Sequence, residues 1–127
     1  MKFTPCKPPR SFDVGFVPKR ISLQDCGQMN LEPDEQITFT TDRNGQYDVV
    51  RKSWGFYATP SLNRRLPQFG LRPALVESSD GTFFIQLMEV SREASFNAYL
   101  KEQSLTVVCW LDDGDVLRKI KSCQSAS

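Results

Sequence analysis

The sequence predicts an α+β fold, a single domain with a mainly antiparallel sheet and two to three helices packed on it. Two turn signals, Asn44-Gly45 and Asp80-Gly81, each lie between segments in which apolar and polar residues alternate. Such turns typically join the two strands of a hairpin. A third segment, Ser91 to Gln103, carries Phe96, Tyr99 and Leu100 at helical spacing. Strands in hairpins followed by a helix favour the α+β class.

Length and composition predict one globular domain. The chain has 127 residues, of which 39% are hydrophobic and 24% charged, as in ordinary folded domains. We expect this domain at residues 20–121, after an irregular arm (1–19) and before a tail (122–127). The arm is rich in proline, which fixes the backbone and removes N–H donors: Pro5, Pro8, Pro9 and Pro18. No leader-like or membrane-length apolar run is present, so we predict a cytoplasmic protein that does not contact a membrane.

Each hairpin has two predicted strands. Gln36 to Thr41 pairs with Gln46 to Val50, and Leu71 to Ser78 pairs with Thr82 to Glu89. The last of these segments has apolar residues on both faces, which is typical of a central strand covered on both sides.

The remaining elements follow from shorter signals. Arg20 to Glu32 predicts either a bent strand or two short strands around a bulge at Gly27, and Leu105 to Leu111 predicts a buried strand. Thr59-Pro60-Ser61 predicts the start of a short helix with Thr59 as its N-cap, and Ser91 predicts the N-cap of the longer helix. Asp115 to Lys121 predicts one or two final helical turns.

Residue usage argues against several kinds of chemistry. Histidine is absent, so catalysis and metal binding by imidazole are excluded. The four cysteines are scattered without C-x-x-C spacing, which does not favour a zinc site. We therefore predict no catalytic residue, no cofactor and no metal ligand. The net charge of +1 does not favour a general nucleic-acid binder.

The candidate site is the stretch from Arg51 to Arg72. It holds five cations, four aromatic residues and no acid. We expect two aromatic residues to stack on a ligand, two hydroxyl residues to flank the backbone donors of a helix start, and two arginines to supply charge. The stacking residues are Trp54 and Tyr57, the hydroxyl residues are Thr59 and Ser61, and the arginines are Arg64 and Arg65.

The same stretch has a structural interpretation, in which the cations are a solvated rim around a set of core residues. These core residues are Trp54, Phe56, Leu62, Leu66 and Phe69. The functional interpretation is a non-enzymatic module that binds a partner protein or an anionic small molecule, such as phosphate or a nucleotide-sugar. Nucleic-acid binding, with the basic arm on the same face, is a further alternative.

The segment WGFYATPSLNRRL, preceded by DEQITFTTDRNGQYDVVRKS, resembles a stretch in small uncharacterised bacterial proteins, some linked to surface-polysaccharide gene clusters. The resemblance covers residues 25–112 and implies no activity. It implies a link to polysaccharide biosynthesis, in which the chain binds a nucleotide-sugar or a partner protein. The enzymatic alternative is an accessory enzyme or subunit acting on nucleotide-sugars in surface glycan synthesis.

Overall fold

The computed structural model describes residues 1–16 and 19–126. Its strands, in chain order, are β1 Lys2–Phe16, β2 Lys19–Asn30, β3 Gln36–Thr40, β4 Gln46–Lys52, β5 Gly55–Ala58, β6 Leu71–Glu77, β7 Phe83–Glu89 and β8 Thr106–Trp110. The helices are α1 Arg65–Gln68, α2 Glu93–Glu102 and α3 Gly114–Ala126, and a 3-10 turn spans Val90–Arg92. The predicted α+β class, with mainly antiparallel sheet, is confirmed.

The strands form three sheets in the described part of the chain, with the orders β1-β2, β3-β4-β5 and β7-β6-β8. Both predicted hairpins are present, β3 with β4 and β6 with β7. Asn44 has φ 66° and Gly81 has φ 83°, the left-handed conformation that tight turns require and that Asn and Gly tolerate.

The chain folds into two compact units. The first unit comprises Met1–Ile37 and Val49–Tyr57, and the second comprises Thr38–Asp48 and Ala58–Ser127. The β1–β2 ribbon belongs to the first unit. Strands β6, β7 and β8 and the three helices belong to the second.

The prediction of an irregular N-terminal arm is wrong, because β1 pairs with β2 in an antiparallel ribbon. The pairing runs from Lys2 opposite Asn30 to Phe16 opposite Lys19, with a register shift between Pro5 and Arg10. Pro8 and Pro9 fall inside that shift, where the strand leaves the ladder and a missing N–H costs little. The predicted bend of β2 coincides with Gly27, whose φ is 147°. Pro18 lies outside the described residues.

The core of the second unit surrounds β6. Leu71, Ala74 and Val76 of this strand are buried, and so are Met88 on β7 and Leu66 on α1. Because neighbouring residues of a strand face opposite sides, the burial of both Ala74 and Pro73 means that both faces of β6 are covered. On one face, Phe96 of α2 lies 6.0 Å from Trp110 of β8, measured between ring centroids.

Arg72 joins β6 to the end of β8. Its Nε and Nη2 donate hydrogen bonds of 2.7 and 3.0 Å to the Asp112 carboxylate. The guanidinium carbon lies 4.1 Å from the centroid of the Trp110 ring. Hydrogen bonding to Asp112 raises the pKa of Arg72 above its ordinary value. A planar, bidentate pair of this kind fixes geometry as well as charge.

Four predictions about the second unit are corrected by the structure. Strand β7 is an edge strand rather than a central one. Strand β8 is only partly buried, with Val108 exposed. The longer helix is present, but Ser91 lies in the preceding 3-10 turn and no side chain caps α2. The predicted tail is wrong because α3 continues to Ala126, through a sequence that contains neither Pro nor Gly after Gly114.

In the turn between β6 and β7, the Asp80 carboxylate accepts hydrogen bonds from its neighbours. The hydroxyls of Ser78 and Thr82 and the backbone N–H of Thr82 donate to it. These hydrogen bonds, that of Ser78 first, lower the pKa of Asp80 below its ordinary value of 3.8.

Because the folded-state pKa of Asp80 is depressed, its contribution to stability is present above the unfolded pKa and is lost as the pH falls through the lower, folded value. We therefore expect Asp80→Asn to lose less stability than the native chain on acidification below about pH 4. Urea unfolding at neutral and acidic pH measures this. An equal loss of stability on acidification in the two proteins would contradict this prediction.

Leu66 in α1 and Leu62 in the loop before it allow a matched test of the core. Leu66 is 0% exposed, whereas Leu62 is 38% exposed. We expect Leu66→Ala to lower the free energy of unfolding by about 2–5 kcal/mol, because it leaves a cavity. Leu62→Ala should change it by roughly 0.5 kcal/mol or less. Denaturant unfolding of both variants decides the point, and equal losses would mean that Leu66 is not a core residue.

Candidate functional site

The six predicted site residues are divided between the two units. Trp54 and Tyr57 belong to the first unit. The second unit contains Thr59, Ser61, Arg64 and Arg65.

The predicted helix start at Thr59 is wrong. Helix α1 covers only Arg65–Gln68, with Arg64 at its N-cap and no capping side chain. The reason is Pro67, which has no N–H and so fits only in the first turn of a helix. A helix starting near Pro60 would place Pro67 in its interior. The backbone N–H of Thr59 instead donates to Asp48 O at 3.1 Å.

Ser61 has a structural role in this loop. Its Oγ accepts a hydrogen bond of 2.9 Å from Arg65 N, and its carbonyl accepts one of 3.0 Å from Leu66 N. The hydroxyl is thus engaged in shaping the turn that leads into α1. Neither Thr59 nor Ser61 presents the helix-end donors that the sequence predicted.

Arg64 and Arg65 are exposed on the second unit. The Arg65 guanidinium lies 5.4 Å from the Phe69 ring centroid. Neither arginine forms an ion pair with a carboxylate in residues 1–16 and 19–126. Two adjacent, unneutralised cations are available to an anion.

The aromatic residues of the candidate stretch that belong to the first unit lie on the hairpin of β4 and β5. Trp54 stands in its two-residue connection and is 70% exposed, Phe56 is 65% exposed and Tyr57 is 49% exposed. Gly55 follows Trp54 with φ 144°, a conformation that an L-residue rarely adopts. The core interpretation of the stretch therefore holds for Leu66 and fails for Trp54, Phe56 and Leu62.

Phe56 is the residue that sequence reasoning missed, because a phenylalanine in a strand is more often buried. The sequence signal for its exposure was its position two residues after Trp54, on the short strand that leaves the turn. We term the side chains of Trp54, Phe56, Tyr57 and Arg51 the hairpin tip; the backbone of Arg51 belongs to the base of the hairpin. The Arg51 guanidinium lies 6.0 Å from the Phe56 ring centroid, within the range of a cation–π contact.

The base of this hairpin is tied to the loop that precedes β3. Arg51 N donates to Glu35 O at 2.9 Å, and Asp34 N donates to Arg51 O at 2.6 Å. Lys52 Nζ lies 2.6 Å from Asp34 Oδ1. These bonds hold the hairpin tip on a fixed base, and they neutralise Lys52 while leaving Arg51 without a carboxylate partner among the described residues.

The described part of the chain holds no group of three or more His, Cys, Asp or Glu side chains that could bind a metal ion. The helices within that part are all too short or too polar to span a membrane.

Comparisons with protein-family models, with curated proteins and with solved structures find no match to this chain.

We expect the double variant Arg64→Ala, Arg65→Ala to unfold at nearly the same temperature as the native chain, because exposed cations without ion pairs contribute little to stability. Thermal unfolding followed by circular dichroism measures this. A drop of several degrees would show that the two arginines are structural and would remove them as an anion site.

Proposed function

We propose that this chain is a non-enzymatic interaction module that binds a partner protein through the hairpin tip. The observation that carries the proposal is the exposure of three aromatic side chains on one short hairpin, with Trp54 the most exposed. Large aromatic residues are usually buried at least in part, and clusters of exposed ones mark contact surfaces.

The energetics support a protein contact. Fully burying one large apolar side chain is worth about 1.5–3 kcal/mol. Trp54 and Phe56, two residues apart, offer two such side chains on one side of the hairpin, and Tyr57 follows on the other side. Trp, Tyr and Arg are also the residues that dominate binding energy in protein interfaces. The hydrogen-bonded base of the hairpin reduces the entropy lost on binding, because the backbone is already ordered.

The chemistry of the hairpin tip suggests what the partner offers. Residues 49–58 contain Arg51 and Lys52 but no acid, and Lys52 is already neutralised by Asp34. A partner pocket that accepts Trp54 and places a carboxylate near Arg51 fits this surface best. A nucleic acid fits less well, because one available cation supplies little of the phosphate attraction that such binding requires.

A second candidate is an anionic small molecule, such as phosphate or a nucleotide-sugar, held by Arg64 and Arg65. It is supported by their exposure and their lack of a carboxylate partner among the described residues. It is weakened by the four-residue length of α1, which leaves no helix end to donate backbone N–H groups. A titration of the 15N-labelled chain with phosphate and UDP-sugars, compared with the double alanine variant, separates this candidate from the first.

The partner can be captured by placing a photo-crosslinking amino acid at position 54 of the full chain in cells that naturally express it. Position 120 is the matched control, because Ile120 is also exposed but lies on α3. We expect a specific crosslinked protein from position 54 and none from position 120. The same products from both positions, or none from position 54, would refute the proposal.

With the captured protein purified, we expect Trp54→Ala to weaken binding about 30-fold, which corresponds to about 2 kcal/mol for an aromatic anchor. Its free energy of unfolding should change by about 0.5 kcal/mol or less, because the side chain is exposed. Isothermal titration calorimetry and urea unfolding measure the two quantities. Ile120→Ala should leave the affinity unchanged.

A further inference from the structure

Strand β7 has a free edge in the described part of the chain. The sheet order is β7-β6-β8, so β7 pairs with β6 on one side and with no strand on the other. Its register with β6 is regular, from Glu77 opposite Phe83 to Leu71 opposite Glu89. The backbone groups on the outer side are therefore positioned to pair with another strand.

The sequence of β7 is unusual for an edge strand. Phe83 is 55% exposed and Ile85 is 57% exposed, and Phe84 between them is also exposed on the opposite face. The strand has no proline and no charge before Glu89. Natural edge strands normally carry such residues to prevent pairing with another chain. Apolar residues on both faces are instead typical of a strand inside a sheet.

An apolar cleft lies on the same face of the sheet as Phe83 and Ile85. It is open, measures about 220 Å³, and is lined by residues of the β3–β4 hairpin and by Leu71 and Leu87. Leu87 shares the face of Phe83 and Ile85 because strand residues two apart point the same way. An apolar cavity of about 150 Å³ is large enough to bind benzene, so this cleft can accept a phenyl ring.

We propose that two copies of this chain associate through β7, which pairs antiparallel with β7 of the second copy about a two-fold axis at Ile85. The two sheets then form one sheet of six strands. In this register Ile85 lies opposite its own copy, and Phe83 lies opposite Leu87 of the second copy. Each Phe83 is thereby delivered to the cleft beside that Leu87, and the exchange is reciprocal, as a two-fold interface requires.

The neighbouring registers are less favourable. An axis at Gln86 sets Phe83 against Glu89, a carboxylate that is already paired with Arg92. An axis at Phe84 sets Leu87 against Gly81 and leaves the cleft unfilled. The axis at Phe84 does pair Phe83 with Ile85. Of the three axes, however, only the one at Ile85 both pairs Phe83 and Ile85 with apolar side chains and sets Phe83 beside Leu87 and the cleft.

The surface is suited to a weak or moderate dimer. Phe83, Phe84 and Ile85 each expose about half of their surface. At roughly 200 Å² for a large apolar side chain, the half-exposed Phe83, Phe84 and Ile85 of the two copies together contribute about 600 Å². The paired backbones and the two clefts add to this area, toward the ~1,200 Å² of a small specific interface. We expect a Kd on the order of micromolar. This proposal does not depend on the hairpin tip.

Sedimentation velocity on the full chain, from low to high micromolar concentration, tests the dimer. We expect Ile85→Lys and Ile85→Glu each to be monomeric, because like charges then face each other across the axis. An equimolar mixture of the two should regain the dimer, because lysine then faces glutamate. Circular dichroism checks that each variant is folded. A monomeric native chain, a dimeric Ile85→Lys, or a mixture that stays monomeric would each overturn the proposal.

A milder variant tests the cleft separately. Phe83→Ala should raise the dimer Kd at least about tenfold, since it removes both reciprocal anchors. Val108→Ala is the matched control, because Val108 is an exposed apolar residue on β8, the opposite edge strand of the same sheet. An unchanged Kd in Phe83→Ala, or an equal loss in Val108→Ala, would show that the two copies do not pair through β7.

Discussion

The burial of β6 on both faces is the constraint on which the second unit depends. Leu71, Pro73, Ala74 and Val76 lose nearly all contact with water, and this apolar transfer is the main favourable term in folding. A strand covered on both faces needs layers above and below it, and those layers determine where the neighbouring strands and helices lie. Pro73 is accommodated because the pairing of β6 with β8 begins only at Ala74, so its missing N–H leaves no gap in that ladder. Its carbonyl still accepts a bond from Leu111 N.

Burial is uneven across the chain, and the large apolar side chains that stay exposed suggest function. The first unit places Trp54 and Phe56 in water at the end of a hairpin whose base is hydrogen-bonded. The second unit leaves Phe83 and Ile85 exposed on the open edge of a sheet. Both surfaces expose apolar area that water disfavours, and both are held on ordered backbone. Their forms differ, and so do the occupants we infer: a pocket of another protein for the hairpin tip, and an identical strand for β7.

Polar interactions in this chain mainly fix geometry. The bidentate pair of Arg72 with Asp112 and the stacking of Arg72 on Trp110 hold the end of β8 against β6. Asp34 performs a similar role in the first unit, where its carboxylate pairs with Lys52 and its N–H binds the carbonyl of Arg51. In contrast, Arg64 and Arg65 contribute charge to the surface without such a geometric role toward any described carboxylate.

The sequence by itself determined the elements that depend on local chemistry: the turns at Asn44 and Gly81, where φ is positive, the two hairpins they close, and the helix Glu93–Glu102. It also contained the signal that limits α1, since Pro67 has no N–H for a helix interior. Only the tertiary structure decided that residues 2–16 form a strand, that β7 lies at an edge, and that Trp54 and Phe56 are exposed rather than buried. The physical reason is that pairing and burial depend on residues far away in the chain, whereas turn and cap preferences depend on a few neighbouring side chains.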